Sequence, residues 1–191
     1  VMTKQIDNPN IIHQPGDYNL ETVNIISYRK NDAEGILYEY NIKPIVISVE
    51  LTEDIFTGFM SGNIIIKDAQ DIRSVLPITG LEKLELAFST PGMKGVRALR
   101  DEGHPFHIYK IEGMVLDSTN PKAQFYNLYF CSKEMVYNSF NRVSQAYAGP
   151  IEEGVEKIIR EVDGLNSKKP FLFEPTKYSI APLSLVALSI A

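Results

Sequence analysis

Two histidines are the residues of this sequence whose type and spacing come closest to a metal site. His104 and His107 are three residues apart, a spacing that shares one face of a helix. Pro105 and the surrounding alternation favour a strand instead, in which residues three apart point to opposite faces. Neither a Glu-containing motif nor a third ligand lies nearby. The sequence therefore predicts no metal here, and a small metal-dependent hydrolase is kept as an alternative.

The other reactive residues also lack a catalytic arrangement. Cys131, the one cysteine, lies in an apolar strand, where a buried inert thiol is the usual outcome. The chain has no nucleophile-elbow motif and no glycine-rich phosphate motif. Lys94, Arg97 and Arg100 form a basic cluster that we expect in an exposed loop over 91–103, because no helix start follows it to form a phosphate cradle. We predict a protein that is not an enzyme, with no catalytic, cofactor-binding or metal-binding residue.

Composition narrows the class of protein but indicates no function. The 191 residues suffice for one large domain or two small ones, and 44% apolar with 23% charged residues argues against general disorder. A net charge of −5 argues against a partner such as a specific nucleic-acid sequence. No apolar run is long enough for a membrane-spanning helix, and the polar start resembles no secretory signal. We therefore expect no membrane insertion.

A two-residue period runs through most of residues 20–132. β-Branched and aromatic residues alternate with polar ones, and Gly, Pro and Asn punctuate the spacers. The segments with this pattern are 20–29, 36–53, 63–68, 82–88, 104–118 and 124–132. Only 68–76 is a candidate helix. The pattern predicts an antiparallel β-barrel or sandwich over 20–132.

The period changes after Ser132. A helix is predicted from Ser132 as cap, with Met135, Val136, Phe140 and Val143 at helical spacing. A stronger pattern predicts a second helix over 150–163, with Pro150 as its first residue. The apolar stripe expected to pack inward consists of Ile151, Val155, Ile158, Ile159 and Val162. Residues 133–191 are thus predicted to begin a second, mixed α/β region, making the whole chain mainly β with an α+β C-terminal part.

Both ends of the sequence carry separate expectations. Residues 1–19 contain turn formers without a period and are predicted to be a flexible arm, the alternative being an arm that orders against a neighbouring subunit. Residues 169–175 are expected to be extended. Residues 181–191 are apolar on nearly every side and read as the start of another helix. We expect this second region to be incomplete at Ala191.

The order of several motifs resembles the central baseplate hub, or tail-tube initiator, proteins of contractile-tailed bacteriophages. The resemblance covers Ile45 to Ile159. The segments that carry it are IVISVELTEDIFTGFMSGNIIIKDA, LPITGLEKLELAF, FHIYKIEGM, FYNLYFCSKEMVYNSFNRVSQAYAG and IEEGVEKII.

The resemblance implies a structural virion protein. Such hubs are homotrimers in which two tube-like β-domains per chain form a pseudo-sixfold ring. The implied partners are further copies of the chain, the tail tube protein, the central spike protein and the tape-measure protein. The implied location is the tail baseplate of the virion, assembled in the host cytoplasm. Another tail-tube-like structural protein remains an alternative, and a carbohydrate-binding β-domain is a third hypothesis, although the chain has no Trp.

Overall fold

The computed structural model describes residues 17–30, 37–76, 78–93, 95–172 and 179–180. These residues divide into two units. The sheet unit contains the described parts of 1–50 and 63–130, and the helical unit contains residues 51–62 with the described parts of 131–191. Most of the predicted N-terminal arm, the end of the 169–175 segment and all of 181–191 lie outside the described residues.

Eight strands form one antiparallel sheet, which confirms the predicted mainly β class. They are β1 Asn19–Lys30, β2 Leu37–Asn41, β3 Val46–Glu53, β4 Met60–Asp68, β5 Lys83–Ser89, β6 Val96–Ala98, β7 Phe106–Leu116 and β8 Gln124–Cys131. The strand order is β2-β1-β5-β7-β8-β4-β3, and β6 pairs with β5 beside β7. The sheet is open, because β2 and β3 stand at its two ends.

The short link between these two end strands makes the sheet curl. Seven strands laid flat at about 4.8 Å spacing would separate β2 from β3 by about 29 Å. The chain from Asn41 to Val46 passes through one turn of 3-10 helix, Lys43–Ile45, and even fully extended would reach only about 18 Å. The two edges must therefore approach each other at this corner, where the amide of the buried Ile42 donates to the Val23 carbonyl at 2.9 Å.

One face of the sheet forms the core. The register pairs Val23 with Leu86 and Ile25 with Leu84 across β1 and β5, so these four side chains share a face and are buried. The other large buried apolar residues of the sheet unit include Ile64, Ile66, Phe106, Ile108, Leu128 and Phe130. The rings of Phe106 and Phe130 lie 4.8 Å apart and tilted, a favourable aromatic geometry.

The helices are shorter than the sequence predicts. Helix α1 spans Ile72–Val75, inside the candidate range 68–76, and α2 spans Lys133–Phe140. Helix α3 spans Ile151–Arg160, so Pro150 precedes the helix and is not its first residue. Ser132 precedes α2 without a side-chain cap, because its hydroxyl instead accepts the amide of Met60 at 3.3 Å. Gly149–Pro150, β9, pairs with Ser179–Ile180, β10, in a separate two-stranded sheet.

The predicted inward stripe of α3 is wrong for three of its five members. Ile158 is 6% exposed, but Ile151, Val155 and Val162 are 42%, 36% and 69% exposed. The buried line of α3 is Gly154 and Ile158, and a Cβ at Gly154 would be in ordinary contact, 3.4 Å, with the Tyr147 ring. The helix therefore buries the face that carries Gly154 and packs against Tyr147, a residue outside the predicted stripe.

Candidate assembly surfaces

The two end strands of the sheet offer backbone groups for pairing with another chain. Within the described residues, β2 pairs only with β1, and β3 pairs only with β4. Soluble proteins often protect such edges with lysine or proline, and neither LYEYN nor VISVELTE contains either residue, although the β1–β2 pairing has a register shift between Ile26 and Lys30. The acidic side chains Glu39 and Glu50 reach back to Asn24 at 2.7 Å and Asn63 at 2.9 Å. The edges therefore remain open to strand addition.

Exposed apolar side chains lie along the same two strands. Tyr38 on β2 and Ile47 on β3 are both about half exposed. A second exposed group lies at the far end of β7, where Met114, Val115 and Leu116 are consecutive and all exposed. Contiguous exposed apolar groups on a protein surface are typical of interaction sites.

The loop between β3 and β4, residues 54–59 of the helical unit, presents two highly exposed apolar side chains. The Asp54 carboxylate accepts the amide of Phe56 at 2.9 Å, and the Asp54 carbonyl accepts the amide of Thr57 at 3.2 Å. This turn leaves Ile55 and Phe56 91% and 90% exposed. The side chains are thus held outward by a hydrogen-bonded turn in the spacer between two predicted strand segments, 36–53 and 63–68.

Residues 79–82 of the LPITGLE segment, on which the resemblance partly rests, form a closed loop. One carboxylate oxygen of the fully buried Glu82 accepts the amides of Thr79 and Gly80 at 2.9 Å and of Leu81 at 3.1 Å. The other oxygen accepts the Thr79 hydroxyl at 3.2 Å. Three converging amides make an anion-binding concavity, and here the chain's own carboxylate fills it. The motif fixes the entry into β5.

The predicted basic cluster is paired with acidic side chains within the sheet unit. Arg97 forms ion pairs with Glu21 at 2.9 Å and Glu102 at 3.0 Å. The guanidinium of Arg100 lies 3.7 Å from Glu39 and 3.9 Å from the buried Glu85. Lys94 lies outside the described residues. The predicted loop over 91–103 is interrupted by β6, Val96–Ala98, which pairs with β5 and carries Arg97.

The candidate metal and thiol residues lie apart from one another. His104 precedes β7, whereas His107 is within it and has Lys83 as its register partner. No group of three or more His, Cys, Asp and Glu side chains in the described ranges could hold a metal ion. Cys131 is buried at the end of β8, and burial raises the pKa of its thiol to about 11. A thiol in this state is a poor nucleophile near neutral pH.

Two buried carboxylates were not predicted from the sequence. Asp68 accepts the Tyr126 hydroxyl at 3.0 Å and the Ile72 amide at 2.8 Å, which ties β8 and α1 to the end of β4. Glu134 of α2 accepts the Ser167 hydroxyl at 2.6 Å and lies 3.2 Å from the Lys169 ammonium. Burial pushes the pKa of Glu134 up, but the Ser167 hydrogen bond, the helix-start amide and the Lys169 charge outweigh it and lower the pKa.

No helix in the described ranges has the length and apolar character needed to cross a membrane. No family model matches the chain, and no curated protein or solved structure matches it significantly.

Proposed function

We propose that this chain is a structural subunit of a bacteriophage tail baseplate hub, a ring-forming initiator that joins the tail tube to the central spike. The proposal combines the ordered motifs between Ile45 and Ile159 with a curled, open antiparallel sheet. The proposed partners are further copies of this chain, the tail tube protein, the spike protein and the tape-measure protein. The proposed place of action is the baseplate of the virion.

The observation that carries the proposal is the pair of open edges, β2 and β3. An edge that remains unprotected in an isolated chain is protected when a neighbour adds its own strand. Contact between β2 of one copy and β3 of the next is heterologous, and heterologous contacts close into rings when the rotation fits. The described residues contain one such sheet, so a sixfold surface takes six sheets, supplied by six chains or by three chains with a second sheet each.

Blunting one edge tests this proposal. Ile47→Lys places a charge on the exposed β3 edge, and Tyr38→Lys does the same on β2. Leu81→Lys is the matched control, because Leu81 is similarly exposed but lies in the loop before β5. Sedimentation velocity and negative-stain microscopy should show rings for the original chain and the control, and smaller species for the edge variants. Rings that survive both edge variants would contradict the proposal.

A further inference from the structure

The helical unit carries an exposed apolar tip with acidic neighbours. The acidic tip consists of Glu53, Asp54, Ile55 and Phe56, all of which are exposed. The Asp54 turn described above fixes its shape, so little side-chain and loop entropy remains to be lost on binding. A preorganised pair of large apolar side chains is the usual form of an interface anchor.

A second exposed patch on the same unit has the opposite charge. The basic patch consists of the exposed Lys168, Phe171 and Leu172 together with the half-buried Arg160. The Arg160 guanidinium lies 5.1 Å from the centre of the Phe171 ring and donates to the carbonyls of Ser167 at 3.0 Å and Lys169 at 2.7 Å. These contacts fix the patch, where Leu172 is 96% exposed.

We propose that the acidic tip of one copy binds the basic patch of a second copy. The apolar anchors Ile55, Phe56 and Leu172 are each at least 90% exposed in the same chain, so one chain does not cover them internally. Apolar groups meet apolar groups in the contact, and the rim charges are complementary, with Glu53 facing the exposed Lys168. Because tip and patch are different surfaces, each copy has one of each to offer. The contact shares Glu53 with the last position of β3 but otherwise lies outside the β2 and β3 edges, and it does not depend on the proposed role in a tail.

The size of the tip sets the strength of this contact. An aromatic side chain buries roughly 150–250 Å², so Phe56 and the smaller Ile55 together supply less than about 500 Å². A stable two-protein interface buries about 800 Å² per partner. The contact is therefore weak for a single pair of chains and becomes effective when another contact holds the copies together. Association should be detectable only at high protein concentration.

A complementation experiment tests the contact. All chains carry Ile47→Lys, so that the β3 edge does not contribute. Phe56→Asp inactivates the tip, Leu172→Asp inactivates the patch, and Phe140→Asp is the control at an exposed phenylalanine elsewhere on the helical unit. In sedimentation equilibrium up to about 1 mM protein, the tip and patch variants should each associate at least 10-fold more weakly than the control. An equimolar mixture should recover part of the association, because the intact tip of one variant meets the intact patch of the other.

Charge reversal gives an independent readout. Glu53→Lys and Lys168→Glu should each weaken association at low salt, and the chain carrying both should recover it. Far-UV circular dichroism checks that each variant remains folded. A monomeric control chain at 1 mM, a mixture no stronger than its components, or a double reversal no stronger than the single ones would each overturn the proposal.

Discussion

The buried Glu82 carboxylate should be the most destabilising single side chain to remove from the sheet unit's loops. It accepts three backbone amides and one hydroxyl at 2.9–3.2 Å while fully buried. Hydrogen bonds to a charged group each contribute about 1.5–3 kcal/mol net, and unsatisfied buried donors cost about 1–3 kcal/mol each. Part of this cost is recovered because the loop can open to water. We expect Glu82→Ala to lower the free energy of unfolding by about 3–5 kcal/mol.

Two further variants separate the carboxylate from the loop conformation. Glu82→Gln keeps the side-chain shape but turns an NH₂ group toward amide donors, so it should recover only part of the lost stability. Gly80→Ala tests the backbone alone, because Gly80 has φ +95° with open space around its Cβ position, and should cost about 1 kcal/mol. Urea unfolding followed by circular dichroism measures all three. A loss below 1 kcal/mol for Glu82→Ala would refute the reasoning.

Three other outcomes follow from the buried groups. Cys131 should react with a thiol reagent at pH 8 only after unfolding, because its thiol is buried with a raised pKa; rapid reaction of the native chain would contradict this. The pKa of Glu134 is lowered in the folded chain, so its contribution to stability is complete above the unfolded pKa of about 4.3 and is lost as pH falls through the folded pKa. In urea unfolding, Glu134→Gln should therefore lose less stability between pH 5 and pH 3 than the original chain does. Equal losses of stability would argue against this role of Glu134. Ile158→Asp should prevent folding of the helical unit, whereas Val155→Asp should be tolerated, because Ile158 is buried and Val155 is exposed. The Tm of each variant measures this difference, and equal shifts of Tm would support the predicted inward stripe instead.

Strand content was predictable because its signal is local. Alternation such as Leu84, Leu86 and Phe88 against Lys83 and Glu85 appears directly in the sequence, and β5 spans Lys83–Ser89. The strand order was not predictable, since it depends on pairings such as β1 with β5 that lie about sixty residues apart. Even the outward face of β5 was misleading, because Glu85 is buried beside Arg100.

The side-chain contacts that shape the candidate surfaces depend on individual residues more than on periodicity. The α3 pattern predicted the helix but not its rotation, because the buried face carries Gly154, which packs against the Tyr147 ring and adds nothing to an apolar stripe. The exposed pair Ile55 and Phe56 lies in a spacer between predicted strand segments, and no sequence pattern indicated its exposure, because the Asp54 turn directs the two side chains outward. Glu82 looked like a surface acid because nothing in its neighbours signals three converging amides.

Cryo-electron microscopy of the assembled protein tests the central claim most directly. The account predicts a closed ring in which β2 of each copy pairs with β3 of its neighbour and completes the open sheet. A chain that remains monomeric at high concentration, or a ring in which both edge strands stay exposed to solvent, would contradict the claim.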